Sequence, residues 1–158
     1  FGTFMPELQE RNMKIQLIGF IDELPESTKQ VVLKAVEDTK DNTGMVLTFA
    51  LNYGSRAEII EATKALANEV QSGEISVEDI NDEAFASKLQ TSFLGNLQDP
   101  DLMIRTSGEV RLSNFLLWQL AYCEYYFTDI FWPDFSEEDL HKAILTYQGR
   151  HRRYGGLE

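Results

Sequence analysis

Short apolar runs that fit β-strands alternate along the chain with longer segments that have helical spacing. Residues 13–20 place Ile15 and Leu17 on one face and polar residues on the other, which predicts a strand. The uninterrupted apolar run 44–51 predicts a second strand, covered on both faces as in a parallel sheet. A third apolar run, 100–106, predicts a short strand that leads into a polar turn.

Helical periodicity follows each of the first two predicted strands. Apolar positions three and four residues apart predict helices over 23–42, 56–71 and 82–94. A serine followed three residues later by an acid, at 76–79 and again at 136–139, predicts two helix starts. Because strands alternate with helices, the fold class we predict is α/β, an open and mostly parallel sheet flanked by helices.

The run 115–127 is different because it is apolar on nearly all sides. This pattern predicts a helix that begins around Asn114 and is buried on most of its surface. The run contains one cysteine, Cys123, and one carboxylate, Glu124. Such an acid can pair with a nearby base or can bind a metal ion, and the pattern alone leaves both interpretations open.

Composition limits the classes of protein to consider. A chain of 158 residues, 43% of them hydrophobic, can form one core, so we expect 1–158 to be a single domain. The net charge of -12 argues against nucleic-acid binding, which needs a basic face. There is no signal-peptide pattern and no run near the ~20 apolar residues that span a bilayer. A single cysteine is compatible with a reducing compartment, and we expect a cytoplasmic protein.

The polar turn after the third predicted strand concentrates groups that favour anions. Arg105 ends the strand, Gly108 lies in the turn, and Arg111 and Ser113 come just before the predicted helix. In open α/β sheets, ligands bind beyond the carboxyl ends of strands, where guanidinium groups and helix N-termini attract anions. This arrangement predicts a pocket for a phosphate or diphosphate. Arginines in a turn of an acidic protein are equally typical of surface ion pairs, and spacing alone does not decide.

The segment DLMIRTSGEVRLSNFLLWQLAYCEYYFTDIFWPDF resembles the C-terminal signature of the cis-prenyltransferases, most closely the bacterial undecaprenyl diphosphate synthases. The pieces ELQERNMKIQLIG, NTGMVLTFALNYGSR and RRYGG resemble the same family in the same order. The resemblance therefore covers nearly the whole chain. It implies an Mg²⁺-dependent isoprenyl transferase that condenses isopentenyl diphosphate with farnesyl diphosphate. The implied product is a long-chain cis-polyprenyl diphosphate, the undecaprenyl carrier lipid of cell-wall synthesis.

The resemblance also implies roles for individual residues. Arg105, Arg111, Leu112 and Ser113 would bind the diphosphate of isopentenyl diphosphate. Glu124 would help to bind Mg²⁺ next to the pocket of the partner subunit in a homodimer.

Two further features come from the resemblance. In relatives built from two different subunits, an Arg-x-Gly near the C-terminus contacts phosphates across the dimer, and Arg153 and Gly155 have this form. The family holds its growing chain in an apolar tunnel, which implies a peripheral membrane contact when the product is released. Two sets of residues could line this tunnel or could be ordinary core: Met45, Leu47 and Phe49, or Ile15 and Leu17.

The chain also departs from the family pattern. Ser107 precedes Gly108 where the family usually has two glycines, and Val110 replaces a residue that is polar or basic in many members. The family's N-terminal strand and phosphate loop, with its Mg²⁺-binding aspartate, are not in this chain. We therefore expect protein to precede Phe1, no catalytic residue within the chain and no turnover by the chain alone.

Two alternatives to an enzyme stay open. One is a non-catalytic diphosphate-binding partner subunit of a cis-prenyltransferase complex, because such family members also lack the catalytic loop. The other is an unrelated α/β domain whose arginines pair with surface acids.

Overall fold

The computed structural model describes residues 4–150 and divides the chain into two compact units. The first unit ends at Ser92 and the second begins at Phe93. Each unit has one pair of parallel strands. The α/β class with parallel strands flanked by helices is confirmed, whereas a single domain over 1–158 stays a prediction.

The first unit is built around two parallel strands and the helices that cover them. Its elements are α1 Met5–Glu10, β1 Lys14–Ile18, α2 Glu26–Asp38, β2 Val46–Ala50, α3 Ser55–Ser72 and α4 Asp82–Ala86. β1 pairs with β2 in register, from Lys14 opposite Val46 to Ile18 opposite Ala50. α2 packs on β1, and Ile15 is completely buried, with its backbone N–H donating to Thr39 Oγ1 at 3.0 Å.

Two predictions for the first unit need correction. The helix predicted over 82–94 ends at Ala86, although Leu89 beyond it is still buried. β2 is not covered on both faces, since Val46 is 39% exposed. The predicted helix over 56–71 is confirmed as α3, and Gly73 ends it in the left-handed conformation, φ +77°, that glycine adopts without steric cost.

The second unit contains β3 Leu102–Arg105, β4 Glu124–Phe127 and α5 Glu137–Gln148. β3 and β4 are parallel, and α5 contacts both strands. α5 begins at the predicted capping box: Ser136 Oγ donates to Asp139 Oδ2 at 2.7 Å, and the Asp139 N–H donates back to Ser136 Oγ at 3.3 Å.

The helix predicted over 115–127 is wrong. Residues 113–122 form successive turns and bends, and the end of the run is strand β4. Ser113, Asn114 and Leu116 have φ values of +49°, +64° and +45°, and left-handed residues interrupt the hydrogen bonds of a right-handed helix. The apolar run is nevertheless partly internal, since Leu116 and Leu120 are buried.

Among residues 4–150, no helix is both long and apolar enough to cross a membrane.

Candidate functional site

The turn that follows β3 is anchored on the segment that follows β4. The backbone N–H of Ser107 donates to the Ile130 carbonyl at 2.8 Å, and that of Gly108 donates to the Thr128 carbonyl at 3.0 Å. Ser107 and Gly108 are both left-handed, with φ values of +67° and +69°. These torsions reverse the chain directly after the strand, so the residues beyond the turn return to the carboxyl end of β3.

Arg105 connects the strand to this returning segment. Its Nη1 donates to Ser113 Oγ at 3.2 Å and also to the backbone carbonyl of Arg111. The Arg111 guanidinium forms an ion pair with Glu109 and keeps 63% of its side chain exposed. The two arginines and Ser113 are therefore brought together, as the spacing predicts. The predicted helix N-terminus is not part of this site, because the chain turns at Ser113 and Asn114.

A small cavity lies against the two arginines. It has a volume of about 220 Å³ and is lined by Met103, Ile104, Arg105, Arg111, Leu112 and Phe115. Guanidinium groups supply positive charge and directed donors, and the remaining side chains supply an apolar wall. Such a lining suits a small anion with a short apolar group attached.

Glu124 lies elsewhere in the second unit, and the prediction that it lies in a helix is wrong. It is the first residue of β4 and pairs in register with Leu102, whereas Arg105 pairs with Phe127. Three residues of strand, about 10 Å, therefore separate the level of Glu124 from that of Arg105. The Glu124 carboxylate accepts a hydrogen bond from Arg150 Nη1 at 2.7 Å.

The donor set around Glu124 bears on metal binding. Within residues 4–150, no cluster of three or more His, Cys, Asp or Glu side chains can hold a metal ion. Mg²⁺ is commonly bound by one or two carboxylates together with substrate phosphates and water. Glu124 thus fits as one ligand of a Mg²⁺ ion that is completed from elsewhere, and not as a metal site by itself.

A larger and more apolar cavity lies between α1 and β2 in the first unit. Its volume is about 590 Å³, and it is lined by Phe4, Glu7, Leu8, Arg11, Met13, Met45, Leu47 and Phe49. Met45, Leu47 and Phe49 form one of the two sets that the resemblance favours for a tunnel. Ile15 and Leu17, the other set, are not among the lining residues, and Ile15 is completely buried in the core.

Comparison with known proteins gives the family of the chain. Residues 2–155 match the prenyltransferase family model described as "Putative undecaprenyl diphosphate synthase". The chain belongs to the cis-prenyltransferase family. It is 57% identical over 156 residues to the farnesyl-diphosphate-specific ditrans,polycis-undecaprenyl-diphosphate synthase of Micrococcus luteus, covering 99% of this chain and 61% of that protein. It is 54% identical over 153 residues to an isoprenyl transferase of Halalkalibacterium halodurans, covering 97% of this chain and 59% of that protein.

Solved structures agree with this family. The crystal structure of lavandulyl diphosphate synthase from Lavandula x intermedia, in complex with dimethylallyl diphosphate, matches with a TM-score of 0.92 at 36% identity. The match covers 98% of this chain and 67% of that one. The chain spans about three fifths of the length of these two curated relatives.

Sequence patterns missed two charged groups of this chain. Arg150, the partner of Glu124, lies 26 residues away along the chain, a separation that no local pattern bridges. Glu58 in α3 is only 1% exposed, and it accepts hydrogen bonds from Tyr53 Oη at 2.5 Å and from the Gln90 N–H at 2.8 Å. Glu58 lies in the first turn of α3, where the helix dipole favours an acidic side chain, and this position is the sequence signal that could have singled it out.

Arg153 and Gly155, named for a phosphate contact across the dimer, lie outside the described residues.

Proposed function

We propose that this chain contains the isopentenyl-diphosphate-binding turn of a cis-prenyltransferase that makes a long-chain polyprenyl diphosphate, with farnesyl diphosphate as the allylic substrate. The single observation that carries the proposal is the hydrogen bond between Arg105 and Ser113. This contact holds Ser113 against Arg105, and Arg105 and Arg111 both line one cavity at the carboxyl end of β3. Leu112, between Arg111 and Ser113, contributes to the wall of that cavity.

The chemistry of the cavity matches the proposed substrate. A diphosphate carries several negative charges, and arginine forks bind phosphate oxygens through two parallel hydrogen bonds. The apolar lining residues, among them Met103 and Phe115, accept the short hydrocarbon part of isopentenyl diphosphate. The Arg111–Glu109 ion pair is exposed, so exchange of the Glu109 carboxylate for a diphosphate costs little. The residues of this chain thus bind and orient the substrate.

The proposal assigns one further group to the reaction. Glu124 would supply one carboxylate to Mg²⁺, which helps to neutralise a diphosphate leaving group when bound. Within one chain, Glu124 and the Arg105 turn lie at opposite ends of the strand pair. This separation supports a homodimer in which Glu124 serves the site of the partner subunit.

The apolar cavity of the first unit would hold the growing hydrocarbon chain. Met45, Leu47 and Phe49 provide its strand wall. A long polyprenyl product is insoluble in water, so its release would require peripheral contact with a membrane.

Steady-state kinetics of the full-length protein test the proposed function. We expect consumption of labelled isopentenyl diphosphate only with farnesyl diphosphate and Mg²⁺, and a KM for isopentenyl diphosphate that rises at least about tenfold in Arg111→Ala. Lys64→Ala is the matched control, because Lys64 also pairs with an acid, Glu61, and is 64% exposed. An unchanged KM in Arg111→Ala would reject the site.

The same kinetics address the alternative of a non-catalytic subunit. Binding of isopentenyl diphosphate without any turnover by the full-length protein would favour a binding subunit over an enzyme. We also predict that residues 1–158 alone have no turnover.

A further inference from the structure

Arg150 contacts two consecutive residues at the start of β4. Its Nη1 donates to Glu124 Oε2 at 2.7 Å and to the backbone carbonyl of Tyr125 at 2.9 Å. The Glu124 side chain is 25% exposed and that of Arg150 is 38% exposed. The ion pair is therefore partly shielded from water and remains accessible to a small ion.

The fold determines where the Arg150 side chain lies. α5 packs on β3 and β4 and ends at Gln148, and the Arg150 N–H donates to the Tyr147 carbonyl at 3.0 Å. The backbone is thus held just beyond the helix end. The Arg150 guanidinium therefore lies at the amino end of β4.

We propose that Arg150 is the internal counter-ion of Glu124 and competes with a divalent cation for this carboxylate. The inference rests on the proposed function of Glu124 as a Mg²⁺ ligand. It adds that Arg150 competes with the metal ion for the Glu124 carboxylate, so that metal binding frees the Arg150 side chain.

The physical basis is competition for one carboxylate. Arg150 holds Glu124 Oε2, and a divalent cation on the same carboxylate would lie within a few ångströms of the guanidinium, so the two positive charges repel each other and compete for one negative charge. Any cation that coordinates Glu124 must therefore weaken the contact with Arg150. By linkage, removal of the Arg150 charge must strengthen metal binding by the same factor that metal binding weakens the ion pair.

Titration of the full-length protein with Mn²⁺, followed by the electron paramagnetic resonance of free Mn²⁺, measures this competition without any substrate. We expect the Kd for Mn²⁺ to fall about threefold in Arg150→Gln, the range of a partly exposed ion pair. Lys142→Gln controls for net charge, because it removes one positive charge from an exposed position on α5. This control variant should keep the wild-type Kd, and Glu124→Gln should lose the site.

A second measurement needs no substitution. Phenylglyoxal modifies accessible guanidinium groups, and peptide mass spectrometry reports the rate at Arg150 in the wild-type full-length protein. We expect Mn²⁺ to accelerate modification of Arg150 and to leave that of Arg11, which pairs with Glu7 in α1, unchanged.

The outcomes separate the inference from the function on which it rests. If Glu124→Gln weakens Mn²⁺ binding but Arg150→Gln leaves it unchanged or weakens it, Glu124 remains a ligand and the counter-ion role of Arg150 is rejected. Modification of Arg150 that Mn²⁺ does not accelerate also rejects that role. If Glu124→Gln binds Mn²⁺ as the wild type does, the metal role of Glu124 fails and the inference fails with it.

Discussion

Arg105 and Glu124 lie at opposite ends of one pair of parallel strands. Arg105 is the last residue of β3 and Glu124 is the first residue of β4, and their register partners are Phe127 and Leu102. Within one chain, the arginine turn therefore lies at the carboxyl end of the strand pair and the acid lies at its amino end. A diphosphate at the turn would therefore not meet a metal ion at Glu124 of the same chain.

Because of this separation, we expect Glu124→Gln to affect metal-dependent turnover and not the binding of isopentenyl diphosphate. We expect the variant to lower the Mg²⁺-dependent kcat of the full-length protein by at least about tenfold, because a carboxylate ligand is lost. The Kd of isopentenyl diphosphate without Mg²⁺ should stay at the wild-type value. Kinetics and calorimetry on the same preparation provide both numbers. A metal-free Kd that rises as much as in Arg111→Ala would show that Glu124 belongs to the diphosphate site.

The torsions of the turn predict opposite effects at two adjacent positions. Ser107 has a φ of +67°, so Ser107→Gly should relieve backbone strain and raise the free energy of unfolding by about 0.5 kcal/mol. Gly108 has a φ of +69°, and a Cβ there would lie 3.2 Å from Asp129 Oδ1. Gly108→Ala should therefore lower the free energy of unfolding by about 1–2 kcal/mol. Urea unfolding measures both, and equal effects would contradict the described turn.

The capping box of α5 predicts a pH dependence of stability. The hydroxyl and backbone N–H of Ser136 lower the pKa of the Asp139 carboxyl below its ordinary value. Because the folded state binds this proton less tightly than the unfolded state, the ionised carboxylate stabilises the fold at every pH above its ordinary pKa. This contribution is lost as the pH falls from the ordinary pKa through the lowered one. The urea midpoint of wild type should therefore fall between about pH 5 and pH 3, and less steeply in Asp139→Asn, which cannot ionise. A variant slope equal to that of wild type would contradict the assignment.

The larger cavity predicts a change in product length. Met45→Trp places a bulkier side chain at the wall of the cavity of about 590 Å³, so less space is left for a hydrocarbon chain. We expect the full-length variant to make products shorter by at least one isoprene unit, measured by chromatography of the dephosphorylated polyprenols. Val31→Trp is a matched control on an exposed position outside this cavity. Products of wild-type length from Met45→Trp would argue against a tunnel here.

Local signals predicted those elements that local chemistry determines. α3 carries a regular apolar stripe and a terminal glycine, and α5 opens with a complete capping box. Both signals act within one or two helical turns, so they can be detected from the sequence. The convergence of Arg105 and Ser113 was also predictable, because a short turn after a strand brings its ends together.

The errors have a common physical cause, which is that tertiary contacts decide where the local pattern is uniform. The run 115–127 has no period, and such a run does not distinguish a helix from a buried strand. Its aromatic end, Tyr125 to Phe127, instead fits a strand that pairs with β3. The left-handed torsion of Leu116 is likewise unexpected from its residue type, and the contact of Arg150 with Glu124 depends on how α5 packs.

Calorimetric titration of the full-length protein with isopentenyl diphosphate, without Mg²⁺, tests the central claim most directly. The diphosphate-binding role of the Arg105–Ser113 turn predicts a Kd at least about tenfold higher in Arg111→Ala than in wild type. Lys64→Ala, which removes an equally exposed charge from α3, should bind as the wild type does. Equal affinity of wild type and Arg111→Ala for isopentenyl diphosphate would contradict this role of the turn.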